Sequence, residues 1–163
     1  MAQRQDPRSH ENLLDLHMET IHPLVVHFPI ALFLSALLVD LVALGLKRPA
    51  WHRVALWNLS LGTLGAAVAV LTGLRAEEIA KHSFEIWKIM ELHERLGITT
   101  LTLGIMVTSW RLWKRDRLTS RARILTLIAM MVMASTVGFG AYLGGRMVYE
   151  FGVGGSFGAS SPQ

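Results

Sequence analysis

The chain contains no cysteine among its 163 residues. This absence excludes disulfides, thiolate zinc sites, cysteine-ligated iron–sulfur clusters and attachment of a c-type haem through C-x-x-C-H. Any metal chemistry must therefore use histidine, carboxylate or methionine. Charged residues are also scarce, at 17% of the chain against about 25% in soluble globular domains. Because 52% of the residues are hydrophobic, the composition indicates a surface that faces lipid.

Four apolar stretches approach or exceed the length of about 20 residues that a helix needs to cross a bilayer. They cover about residues 23–46, 54–74, 96–113 and 124–143. The first is too long for the core of a cleavable signal peptide, and no small-residue cleavage site follows it. The sequence therefore predicts an all-α integral membrane four-helix bundle over residues 22–155. Residues 1–21 form a polar or amphipathic amino-terminal segment and residues 156–163 a flexible tail.

Basic residues predict the orientation of this bundle. The first loop holds Lys47, Arg48 and Arg53 without an acid, and the third holds a cluster of arginines and a lysine against Asp116 alone. Loops rich in Lys and Arg stay in the cytoplasm, so both termini and the second loop should lie on the outer, periplasmic side of a bacterial inner membrane. The high isoelectric point, near 10.0, is then a signal of topology and not of nucleic acid binding.

Histidines concentrate on the predicted outer side. Six of the seven belong there: His10, His17, His22, His27, His82 and His93. His52 is alone in the first cytoplasmic loop. If the protein has a site, we expect it at the outer end, where histidine, arginine and glycine from all four helices meet.

The segment HPLVVHFP, residues 22–29, carries two of these histidines at the start of the first span. Pro23 suits a first helical turn, whereas Pro29 lies further in and should bend the helix. His22 and His27 are separated by about 140° around a helix, so they do not share a face. His27 is deeper and is expected to be the more buried, which makes it a functional-site candidate with His93 as its partner. His22 is the alternative ligand, and a neutral His27 bonded to the carbonyl freed by Pro29 is the structural alternative.

The second loop is predicted to be helical and to continue into the third span. Ser83 can cap this helix, and Glu85 lies in its first turn. His82 and His93 would be separated by about 16 Å of helical rise. They cannot bind one metal ion together, and we interpret His82 as an exposed loop residue.

Small residues and one carboxylate complete the pattern inside the spans. Glycine and alanine form small-residue faces that favour close helix packing, although a flat cofactor would use the same spacing: Gly62, Gly65, Ala66, Ala69 and Gly73 in the second span, and Gly97 and Gly104 in the third. Asp40 is the one carboxylate within a span. It is expected to pair with Lys47 or to snorkel to the cytoplasmic edge, and not to relay protons.

Four motifs resemble those of the bacterial membrane-protein family called domain of unknown function 2231. They are HPLVVHFPIAL, LTGLRAEE, HERLG and LGGRMVYEFGVG, and the resemblance spans roughly residues 21 to 155. It implies a four-helix membrane protein and, because such domains are sometimes fused to cytochrome c or Rieske domains, an electron-transfer setting. The chain departs from the family pattern at Tyr142 and Phe151, where relatives often have histidine.

Two functions are therefore compared. The first is a non-catalytic membrane subunit or scaffold, whose outer face of His22, His27, His93, Arg146 and Tyr149 docks a periplasmic redox protein or membrane complex. The second is a b-type cytochrome-like subunit with one haem b held by His27 and His93. In that case Arg75, Arg95 or Arg146 would neutralise the propionates, and Gly73, Gly97 or Gly144 would leave room for the ring. The sequence favours the first, because no histidine pair is present at both membrane depths.

Overall fold

Four helices account for almost all of the described chain. The computed structural model describes residues 7–79, 84–115 and 117–153, with side chains from residue 22 onward except 23, 78 and 79. The helices are α1 (Pro7–Gly45), α2 (Pro49–Ile79), α3 (Phe84–Trp113) and α4 (Ser120–Tyr149). No strand occurs in the described ranges, so the predicted all-α four-helix architecture is confirmed.

The first helix begins much earlier than the hydropathy pattern predicts. Because α1 starts at Pro7, Pro23 lies well inside the helix and not in its first turn. Pro29 is buried against Gly65 of α2, where an added Cβ would lie 3.4 Å from the proline Cδ. Phe28 Cδ1 would be nearer, at 3.0 Å, so both Phe28 and Pro29 pack against the bare backbone of Gly65.

Each helix packs against two neighbours, so that α1, α2, α3 and α4 form a closed ring. The core between them includes Phe33 of α1, Leu59 of α2, and Met130 and Met133 of α4, all at most 1% exposed. Gly62 leaves space for the ring of Phe33, since a Cβ at that position would lie 2.9 Å from Cδ1 of Phe33. Small residues thus bring the backbones together, as the sequence predicts.

Side-chain hydrogen bonds join each consecutive pair of helices at mid-bundle. Such bonds contribute to helix association where water is scarce. They are Asn58 Nδ2 to Ser35 Oγ at 2.8 Å, Thr63 Oγ1 with Thr108 Oγ1 at 3.0 Å, and Thr100 Oγ1 with Thr136 Oγ1 at 2.8 Å.

Three helices are long and apolar enough to cross a membrane, over Leu24–Gly45, Pro49–Glu77 and Ser120–Tyr149. Their outward surfaces are rich in exposed leucine, with Leu38 at 63%, Leu64 at 66% and Leu125 at 67%, as a lipid-facing surface requires. Helix α3 is of similar length but less apolar. Its polar residues Thr100, Thr108 and Arg111 are buried, so part of this polarity is directed into the bundle, whereas Thr99, Thr102 and Ser109 are exposed.

The two short connections at one end of the bundle use basic residues in left-handed backbone conformations. Lys47 follows α1 with φ 52°, and Arg115 follows α3 with φ 47°. A non-glycine residue in this region costs about 1–2 kcal/mol. Helix α4 begins with a capping bond, in which Thr119 Oγ1 accepts from the amide of Ala122 at 3.3 Å.

Candidate functional site

Two histidines meet at one end of the bundle, across the diagonal between α1 and α3. The ring centroids of His22 and His93 are 6.2 Å apart, with an angle of 86° between the ring planes. His93 Nδ1 donates to the carbonyl of Gly140 in α4 at 2.9 Å. We call this end, with His22, Gly73, His93 and Gly144, the histidine end.

The hydrogen bonds of His22 and His93 determine which nitrogen of each ring carries the proton and which keeps a lone pair. The hydroxyl of Thr72 lies 3.0 Å from the carbonyls of both Val68 and Ala69, to which it donates. Its oxygen, 3.2 Å from His22 Nδ1, therefore accepts the proton of that nitrogen. Since His93 Nδ1 also donates to a carbonyl, both neutral imidazoles carry their lone pair on Nε2.

Two glycines make room for these rings. A Cβ at Gly73 of α2 would lie 2.9 Å from His22 Cε1, and a Cβ at Gly144 of α4 would lie 3.4 Å from His93 Cε1. A methyl group at Gly73 would thus overlap the His22 ring, whereas at Gly144 it would make a tight contact. Gly97, which the sequence also offered as space for a cofactor, has only Val70 near its Cβ position, at 3.8 Å.

Both histidines are held in the neutral form. Burial lowers the pKa of His22 from its ordinary value, the nearby His93 lowers it further, and the Ala69 carbonyl partly opposes them. Burial likewise lowers the pKa of His93, opposed by its bond to Gly140. Neutral imidazole is the form that binds metal ions.

The expectation that His27 is the more buried histidine is wrong. The side chain of His27 is exposed, whereas those of His22 and His93 are half-buried. The reason is rotational: with His22 directed at α3, a residue five positions further along α1 is turned about 140° away from it. The structure therefore brings His22, and not His27, to His93.

Two of the arginines predicted near the site pair with carboxylates close to them in sequence. Arg95 Nη2 pairs with Glu91 at 2.6 Å within α3, and Arg146 Nε pairs with Glu150, the C-cap residue of α4, at 2.9 and 3.0 Å. Arg75 is exposed. Tyr142 is also exposed and stacks on Phe139, with centroids 6.2 Å apart. Side chains of His10, His17 and His82 lie outside the described residues.

The opposite end of the bundle contains a buried charge network that the sequence analysis missed. Asp40 of α1 and Arg111 of α3 are both fully buried, and Arg111 Nη1 donates to Asp40 Oδ2 at 2.8 Å. His52 Nδ1 donates to Asp40 Oδ1 at 2.6 Å, and its carbonyl accepts from Arg111 Nη2 at 2.9 Å. Arg123 Nη1 lies 3.9 Å from Asp40 Oδ1.

This network corrects two expectations. Asp40 pairs with Arg111 and His52 and not with Lys47, which is exposed in the turn after α1. His52 is not an isolated loop residue, because it lies on α2 and is 8% exposed. We call this end, with Lys47, His52, Arg111 and Arg123, the basic end.

A regular spacing in the sequence contains the signal for this network. His22 and Asp40 are 18 residues apart on α1, and His93 and Arg111 are 18 residues apart on α3. Eighteen residues make about five turns of an α-helix and about 27 Å of rise. Each helix therefore carries its two polar residues on one face, separated by a distance close to the roughly 30 Å thickness of a hydrocarbon layer.

These features define a class of protein: an integral membrane helical bundle with one polar pair at each end of the α1–α3 diagonal. The chain belongs to the family described as predicted membrane protein DUF2231, whose family profile matches residues 18–156. The resemblance noted in the sequence is thus confirmed. No curated protein and no solved structure matches the chain.

Proposed function

We propose that this protein is a membrane subunit without a catalytic apparatus of its own, in which His22 and His93 would hold one haem b. The observation that carries the proposal is the His22–His93 pair. Its two imidazoles come from facing helices, and each is oriented by a hydrogen bond through Nδ1. Metal-binding histidines characteristically donate their other ring N–H to a protein acceptor in this way.

The number of ligands favours haem over a bare metal ion. Structural ions such as zinc take four ligands, and catalytic ones take three from the protein. In the described part of the chain, no group of three or more His, Cys, Asp or Glu side chains could hold an ion. A haem needs only two axial ligands from the protein, because the macrocycle supplies the remaining nitrogens.

The ring spacing supports the same proposal. A metal–nitrogen bond is about 2.0–2.1 Å long, so two imidazoles that share one metal would have their centres no more than roughly 6 Å apart. The centroids of His22 and His93 are 6.2 Å apart. Four-helix bundles commonly bind cofactors between facing helices.

Haem, when bound, supplies one-electron chemistry with a potential tuned by its ligands and surroundings. The residues of this chain hold two neutral imidazoles at one boundary of the bundle. At the other boundary, about 27 Å along α1, Asp40 and Arg111 take the place of a second histidine pair. The subunit would therefore exchange electrons with a partner on the histidine side only.

A second candidate is the non-catalytic scaffold, and one observation favours it. Each imidazole already has a protein hydrogen-bond partner, and the His22 ring fills the space beside Gly73. Such a pair can close the end of a bundle without a cofactor. In that case the histidine end, predicted to be periplasmic, docks a redox protein or a membrane complex.

Visible spectra of the purified protein distinguish the two candidates. The protein is expressed with added haem, extracted in detergent, and measured oxidised and after dithionite reduction. We expect sharp reduced α and Soret bands that are lost in His22→Ala and in His93→Ala. His27→Ala is the matched control and should retain them, because His27 is exposed.

Circular dichroism melting shows whether each variant is folded. A colourless wild-type protein, expressed with excess haem, would exclude the haem proposal and leave the scaffold. Bands that survive in folded His22→Ala but vanish in His27→Ala would assign the ligand to His27 instead.

A further inference from the structure

A groove opens at the basic end between the start of α2 and the end of α3. Its lining comes from two helices and the turn after α3: Pro49, Arg53, Leu56, Trp57, Ser60, Leu112, Arg115 and Arg117. The cavity volume is about 490 Å³, within the range of about 300–1,000 Å³ that is typical of ligand sites.

The groove lining has a basic part and an apolar part. Arg53, Arg115 and Arg117 supply three positive charges, and none of the described carboxylate residues lines the groove. Asp116, the acid in the same turn, lies outside the described residues. The apolar part of the lining continues into the lipid-facing surface, since Trp57 is 65% exposed and Leu112 is 54% exposed.

Aromatic and basic residues beside the groove mark the level of the membrane interface. Lys114 Nζ lies 4.5 Å from the ring centroid of Trp113 and 5.1 Å from that of Trp110. Tryptophan and basic side chains are enriched where hydrocarbon gives way to headgroups. The three arginines of the groove are therefore at the depth of a phosphate, and Leu56, Trp57 and Leu112 provide an apolar surface for acyl chains.

We propose that this groove binds the phosphate headgroup of an anionic phospholipid through Arg53, Arg115 and Arg117, with an acyl chain along Leu56, Trp57 and Leu112. Basic pockets between transmembrane helices recognise such headgroups, and arginine binds phosphate through paired N–H donors.

Native mass spectrometry of the detergent-purified full chain tests the proposal. Phosphatidylglycerol and phosphatidylcholine with identical acyl chains are added separately and in competition. The test variant combines Arg53→Gln, Arg115→Gln and Arg117→Gln. The control combines Lys47→Gln, Arg48→Gln and Arg121→Gln, which removes the same charge from the same end but from residues outside the groove lining.

We expect wild type to retain phosphatidylglycerol in preference to phosphatidylcholine. Each groove arginine should contribute about fivefold to this preference, the factor that corresponds to roughly 1 kcal/mol per basic residue at an anionic surface. The control variant should keep the preference within about twofold of wild type, since the charge it loses lies outside the groove. Single substitutions, with melting curves as a folding check, serve if the triple variant does not fold.

Three results would overturn the assignment. Equal losses in the test and control variants would mean that only the overall charge matters. Equal retention of the two lipids would mean that the headgroup is not recognised. Displacement of bound phosphatidylglycerol by excess inorganic phosphate would identify a site for a soluble anion and not for a lipid.

Discussion

At the scale of single residues, Nδ1 of His22 and Nδ1 of His93 both donate to acceptors of the bundle, which leaves both Nε2 atoms as acceptors. The rings are also confined sterically, because Gly73 and Gly144 lie against their Cε1 atoms. Orientation by hydrogen bond and confinement by glycine are independent constraints, and each can be tested separately.

Gly73→Ala should move the His22 ring and destabilise the protein. The added Cβ would lie 2.9 Å from Cε1, an overlap that overpacking data place at about 1–3 kcal/mol. Gly138→Ala is the matched control, because nothing lies within 4 Å of its Cβ position; better helix propensity should leave its stability unchanged or raised by up to about 1 kcal/mol. Thermal melting in detergent compares them. Equal melting temperatures for the two variants would refute the predicted contact.

Acidification should destabilise the protein through the same histidines. The pKa values of His22 and His93 are lowered below 6.5, so between the folded and unfolded values the unfolded state binds more protons and stability rises with pH. Stability is therefore lost as the pH falls through 6.5, and the loss is complete below the folded pKa values. Melting temperatures at neutral and mildly acidic pH measure it.

Other ionisable groups also titrate over this range, so the test is a difference between variants. His22→Asn combined with His93→Gln should have a smaller acid-induced loss than wild type. An undiminished loss in the double variant would assign the pH dependence to other groups.

At the scale of helices, α1 and α3 do not pack as neighbours in the ring, yet their side chains meet at three levels. His22 meets His93 at one end, Phe33 lies 3.4 Å from the Cβ position of Gly104 in the middle, and Asp40 binds Arg111 at the other end. Helices α2 and α4 contribute the glycines and carbonyls that support these pairs. The contacts between α1 and α3 therefore specify how the helices are arranged in the bundle.

Removing one member of the buried ion pair should be more damaging than removing both. Asp40→Leu or Arg111→Met alone leaves an uncompensated charge in the core, which typically costs about 3–5 kcal/mol. The double variant Asp40→Leu/Arg111→Met replaces the pair by apolar side chains and should recover part of that loss. A double-mutant cycle on unfolding free energies in detergent micelles gives the coupling. Additive single effects would show that the two residues do not act as a pair.

Hydropathy predicts the positions of the helices better than it predicts which side chains contact one another. The number and approximate positions of the helices follow from apolar runs, and the helical second loop follows from Glu85 in the first turn of α3. The choice between His22 and His27 does not follow, because depth along a helix and direction around it are separate quantities. Asp40 and Arg111 are 71 residues apart, and only the 18-residue spacings on both helices connect them.

At the scale of the whole molecule, the two ends of the bundle differ in charge and in chemistry. Basic turns, Lys47, Arg115 and the lipid groove lie at one end, and the histidine pair lies at the other. By the distribution of Lys and Arg, the basic end should lie in the cytoplasm. The proposed haem and the proposed lipid site would then face opposite compartments.

The absence of native cysteine makes this orientation directly testable. Arg48→Cys introduces a thiol in the first loop, and Ser160→Cys introduces one in the carboxyl-terminal tail. We expect a membrane-impermeant maleimide to label the Ser160 variant in intact spheroplasts, and the Arg48 variant only after permeabilisation. The reverse pattern would invert the molecule and move the histidine end to the cytoplasm.

The equal spacing of polar residues on α1 and α3 also determines which genetic lesions this protein tolerates. One residue inserted between His22 and Asp40 rotates one part of α1 against the other by about 100° and lengthens it by about 1.5 Å. Either His22 or Asp40 can then keep its partner on α3, but not both. A single-codon insertion or deletion in this interval should therefore not be tolerated. Apolar substitutions on the lipid-facing surface leave the spacing unchanged and should be readily accepted.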